Sequence, residues 1–136
     1  MADEAPRIAH IAETGDTRFS ISIDVSGFAL EGDEPLDMGG GNKAPSPYDY
    51  LLAALGSCTV MTMRWYAHQK NWPLDRAEAT ISHEKRNGQD VFIKKLRVYG
   101  DTLTSEQHTK LLEVAAKCPV QKTLTSDIIV ETYWEE

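Results

Sequence analysis

The run YDYLLAALGSCTVMTM, Tyr48 to Met63, constrains this chain more than any other segment. After Asp49 no charged side chain occurs until Arg64. The uncharged stretch, residues 50–63, is shorter than the roughly 20 residues a membrane span requires, so it predicts a buried core helix. Its start is well marked: Ser46 suits the N-cap, Pro47 the first helical position, and Asp49 the return arm of a capping box. The helix is expected to end at Gln69 or Lys70, before Asn71-Trp72-Pro73. At 100° per residue, Leu51, Ala54, Leu55, Met61, Thr62 and Trp65 share the stripe with Cys58. Ala53, Gly56, Val60, Met63 and Ala67 form the opposite stripe. A helix apolar on both faces is enclosed on most sides, which a small chain achieves by pairing with a second copy. Gly56, costing about 1 kcal/mol against Ala, predicts a close backbone approach there, as by a second long helix.

Around this helix the pattern is α+β with a mainly antiparallel sheet. Residues 7–13 and 17–25 alternate apolar and polar, and Thr14-Gly15-Asp16 between them predicts a tight II′ hairpin. Phe28–Leu30 is expected to continue the meander. Residues 77–85 and 91–99 form a second hairpin about Asn87-Gly88. Thr104 or Ser105 caps a helix running to Lys117, Pro119 opens a short one, and the tail DIIVETYW reads as strand. Without regular βαβ alternation, repeat or linker, residues 1–136 are expected to form a single α+β domain. The loop 33–45, DEPLDMGGGNKAP, is long enough to cover a site. Its three glycines fit neither phosphate-binding spacing, so they are read as turn residues.

A net charge of −7 and a pI near 5.1 disfavour a nucleic-acid partner; Lys94, Lys95 and Arg97 are the densest basic group. MADEAPRIAH has neither the basic nor the apolar region of a secretory signal, so a cytoplasmic, reducing setting is expected. There a structural disulfide is disfavoured and a catalytic or transient one favoured. The two cysteines and His10, His68, His83 and His108 show no zinc-site spacing, and no metal is expected.

Local physics ranks the cysteines one way. Cys58, in apolar surroundings and about 18 Å along the helix from its start, reads as an inert packed thiol. To be reactive it needs a cation from elsewhere; Arg18 is the candidate, since Arg64 falls off its stripe. Cys118, directly before Pro119, sits at a helix cap where backbone N–H groups favour thiolate. A Cys–His hydrolase pairing Cys118 with His83 or His108 stays open.

The segment GGGNKAPSPYDYLLAALGSCTVMTMRWYAHQKNWPL, followed later by AAKCPVQKTL, resembles the OsmC/Ohr family of osmotically inducible and organic-hydroperoxide-resistance proteins. The resemblance rests on Ser46-Pro47, the Leu/Ala-rich approach to Cys58, and Cys118-Pro119-Val120. It implies an intertwined α+β homodimer with long central helices buried between the subunits and active sites at the interface. It also implies a peroxidatic role for Cys58, a resolving role for Cys118, and an activating role for Arg18. The substrate is then an organic hydroperoxide and the reductant a cellular dithiol, with no bound cofactor. This reverses the local ranking of the thiols. One residue departs from the pattern: where hydroperoxide-resistance members carry a glutamate ten positions before the first cysteine, this chain has Tyr48. That departure keeps a second expectation open, a non-catalytic protein binding a small hydrophobic ligand in the dimer pocket.

Overall fold

Helix capping, turn chemistry and strand alternation account for most of the elements in the computed structural model, which describes residues 5–135. Residues 1–4, part of the start read for a secretory signal, lie outside the described residues. The fold is α+β, with antiparallel sheets and three α-helices. Contacts group the chain into two compact units, one up to Leu51 and one from Leu52 onward.

The first unit carries a three-stranded meander of β1 (Ala9–Glu13), β2 (Ile21–Val25) and β3 (Phe28–Gly32). The pairing of β1 with β2 is as expected, but the tight II′ turn is not formed. Glu13 pairs with Ile21, so residues 14–20 all belong to the connection. The reason is local competition for the backbone. Thr14 Oγ1 accepts from the N–H of Asp16, and Ser20 Oγ accepts from that of Thr17. Between β2 and β3 only Ser26 and Gly27 intervene, both at positive φ.

The long loop after β3 is organised by one carboxylate. Asp33, 2% exposed, accepts hydrogen bonds from the N–H groups of Glu34, Gly41 and Lys43 and from the Thr17 hydroxyl. A Cβ on Gly40 would stand 2.1 Å from the Glu34 carbonyl oxygen, so the chain must be bare there. Three loop amides are thus occupied by the chain's own acid.

Helix α1 (Pro47–Gln69) begins with the expected reciprocal cap. The Ser46 N–H donates to Asp49 Oδ2 at 2.9 Å, and the Asp49 N–H donates to Ser46 Oγ at 3.3 Å. The second unit packs one stripe of α1, with Leu55, Thr59, Met63 and Ala67 buried, against a hairpin and a second helix. That hairpin, β4 (Arg76–Arg86) with β5 (Gln89–Tyr99), turns through Asn87 and Gly88, both at positive φ as a I′ turn requires. Helix α2 (Ser105–Ala115) carries a full capping box between Thr104 and Gln107 and adds Leu111 and Ala115 to the core. Helix α3 (Pro119–Leu124) follows, with Cys118 as its N-cap.

The face of α1 that the sequence assigns to burial against a second copy is open in the single chain: Met61 is 68% and Trp65 62% exposed. Within the chain the close neighbour of Gly56 is the Ile81 side chain of β4, 3.0 Å from where a Cβ would sit. The tail forms no strand; residues 127–134 pair with no ladder among the described residues, and Trp134 is 96% exposed. Strand-forming side chains alone do not make a strand without an edge to complete.

Candidate functional site

Both cysteines belong to the second unit and meet where α1 passes the start of α3. Cys58, half-buried, accepts a hydrogen bond from the Val120 N–H at 3.5 Å and lies 4.0 Å from the Thr62 hydroxyl. Cys118 is fully buried; its sulfur is 3.6 Å from Thr59 Oγ1, and the Cys58 thiol is among the groups that lower its pKa. Both are free thiols. Residues far apart in sequence are therefore joined into one dithiol site by helix packing.

A cation completes it. Lys94 Nζ donates to Thr59 Oγ1 at 2.8 Å, to the Ala115 carbonyl at 2.7 Å and to Gln121 Oε1 at 2.7 Å. These three acceptors use all three ammonium donors. Burial lowers the Lys94 pKa, and the neighbouring sulfurs of Cys118 and Cys58 work against that fall. Burial raises the Cys118 thiol, yet the balance lies below its ordinary value. The Gln121 N–H facing the sulfur, the Thr59 hydroxyl, the Cys58 thiol and the Lys94 ammonium together outweigh desolvation.

From sequence Lys94 counts, with Lys95 and Arg97, only as part of the densest basic group and not as a site residue. Strand alternation carried the signal. In VFIKKLRVY, Lys94 shares a face with Phe92, Leu96 and Val98, the face that packs on the core, while Lys95 and Arg97 point the other way. A lysine alone in an apolar row needs an internal partner.

The other residues singled out from sequence have their own settings. Arg18 belongs to the first unit, exposed in the connection between β1 and β2, with its guanidinium beside Gly39. Arg64 donates to the carbonyls of Leu74 and Asp75 at 2.8 and 3.1 Å, bracing the chain after α1. His83 Nε2 is 2.8 Å from Asp90 Oδ1 and its ring stacks on Phe92; His108 lies in the first turns of α2. The polar neighbours of Cys118 are Thr59, Cys58, Gln121 and Lys94, so neither histidine is its hydrogen-bond partner. Among the described residues no group of three His, Cys, Asp or Glu side chains is placed to hold a metal ion. No helix among them is long and apolar enough to cross a membrane.

Lys94 and Gln121 also line a cavity of about 520 Å³, walled by Leu55, Phe92, Leu96 and Leu124. Its size and mostly apolar wall with a few polar groups suit a small organic molecule. A dithiol with an adjacent ammonium can hold a thiolate, reduce a peroxide bond and close to a disulfide.

Residues 40–132 match the family model described as OsmC-like protein. Solved structures share the fold. An OsmC like protein from Mycoplasma pneumoniae is 15% identical with a TM-score of 0.73, over 90% of this chain and 89% of its own. An organic hydroperoxide resistance protein from Elizabethkingia anophelis is 17% identical with a TM-score of 0.69, over 93% of each chain. One from Legionella pneumophila, described as an organic hydroperoxide resistance protein OsmC, is 15% identical with a TM-score of 0.66, over 91% and 92%. No curated protein matches this chain in sequence.

Proposed function

The chain belongs to the OsmC-like protein family, and on that premise we propose that it is a thiol-dependent peroxidase reducing organic hydroperoxides in oxidative-stress defence. The observation that carries this reading is the meeting of the chain's two cysteines beside the Lys94 ammonium. Cys58, the more accessible sulfur, gives up its proton as it attacks the outer peroxide oxygen. The O–O bond breaks, the alkoxide takes a proton and leaves as alcohol, and Cys58 becomes a sulfenic acid. The Cys118 thiolate then attacks the Cys58 sulfur, displacing hydroxide, which is protonated to water, and the disulfide closes. A cellular dithiol restores both thiols by two exchanges and departs oxidised, so no bound cofactor is needed. Arg18 is the proposed activator of Cys58, and the working form is an intertwined homodimer in the cytoplasm.

The test is consumption of an alkyl hydroperoxide with excess dithiol. Wild type is expected to turn over, and Cys58→Ser to fall to the uncatalysed rate. Cys118→Ser is expected to stall after one equivalent, with Cys58 trapped as sulfenic acid or overoxidised. Equal, slow consumption by wild type and Cys58→Ser would reject the reading.

A second reading rests on the cavity and on Tyr48: a protein that holds a small hydrophobic ligand without turnover. Native mass spectrometry of freshly purified protein separates the two. A retained apolar molecule together with thiols sluggish toward peroxide favours binding; an empty protein with fast Cys58 oxidation favours the enzyme.

A further inference from the structure

Thr59 is fully buried, and its hydroxyl has one proton and more than one claimant. It lies 2.8 Å from the Leu55 carbonyl, four residues back along α1, and 3.6 Å from the Cys118 sulfur. The Lys94 ammonium donates to the same oxygen at 2.8 Å, and its other two donors are committed to Ala115 and Gln121. With Cys118 protonated, the S–H points to Thr59 Oγ1 and the threonine proton goes to Leu55. With Cys118 ionised, the hydroxyl rotates and gives its proton to the sulfur. The ammonium stays in place through both arrangements and polarises the hydroxyl toward being a donor.

We propose that Lys94, acting through the Thr59 hydroxyl, holds the negative charge of the two-cysteine site on Cys118. Lys94 and Thr59 are positioning residues for that thiolate. The proposal deepens the peroxidase reading and rests on it for its purpose, since the resolving sulfur must be ionised to attack a sulfenic acid. The charged and titratable groups facing Cys118 are Cys58 from α1 and Lys94 from β5, with Gln121 of α3 adding an uncharged dipole. Asp90 stands farther along β5, paired with His83 and Lys85.

The experiment uses the full chain carrying Cys58→Ser, which leaves Cys118 as the only thiol and a hydroxyl in place of the other. The ultraviolet absorbance of the thiolate is followed against pH. The midpoint is expected below the ordinary thiol value, to rise in Thr59→Val and Lys94→Met, and to stay low in Thr59→Ser. Circular dichroism confirms that each variant is folded; if Lys94→Met is not, the near-isosteric Thr59→Val and its Thr59→Ser control decide. An unchanged midpoint in folded Thr59→Val overturns the proposal. Hydroperoxide turnover is assayed separately with both cysteines present. A low midpoint without turnover removes the peroxidase and leaves the thiolate device; turnover with an unmoved midpoint does the reverse.

Discussion

Asp33 shows what a single buried carboxylate can organise. Burial opposes its ionisation, but the N–H groups of Glu34, Lys43 and Gly41 and the Thr17 hydroxyl bring its pKa below the ordinary aspartate value. Its contribution to stability is therefore full above that ordinary value and is lost as pH falls through the lower, folded one. Asp33→Asn is expected to lower the melting temperature at neutral pH and to flatten its fall on acidification, read by thermal melts across the acid range. The two cysteines were identifiable from residue type and motif alone. Lys94 is legible from strand alternation, as a lysine in register with apolar Phe92, Leu96 and Val98. Thr59 was not, because an uncharged β-branched residue mid-helix signals nothing until packing sets a sulfur and an ammonium on either side of it.

At the scale of elements, signals carried by a few adjacent residues translated well. The Ser46/Asp49 cap, the Asn87-Gly88 turn and the Thr104 start of α2 each depend on chemistry within one turn of chain. Thr104→Ala removes the hydroxyl that accepts from Gln107 and is expected to cost about 1 kcal/mol, measured by urea unfolding with an unchanged m-value. Leu111, buried against Met63 and Ala67, belongs to another class. Leu111→Ala is expected to cost about 2–5 kcal/mol by the same assay, since it leaves a cavity in the core of the second unit. Elements that depend on distant partners were illegible. The connection 14–20 is held by hydroxyl-to-backbone bonds that its composition only hints at, and the tail has strand-forming residues without a ladder. Gly56 was correctly marked as a close approach, but sequence could not say that the neighbour is Ile81.

For the whole molecule, the outward face of α1 is the outstanding fact. Leu51, Met61 and Trp65 are exposed on the longest helix, and Ile128, Ile129 and Val130 are exposed in the tail. Apolar surface on this scale is the mark of association, and the proposed homodimer would cover it. Sedimentation is expected to give a two-chain species, and Met61→Glu to weaken it about 10-fold or more, because it sets an unpaired carboxylate where a thioether would be buried. A single-chain species at every concentration would remove the dimer. Exposure of Trp65 and Trp134 has a further practical consequence. Indole emission shifts to shorter wavelength when water is withdrawn from the ring, so the unmodified chain carries its own optical gauge of self-association, readable by dilution alone without any label.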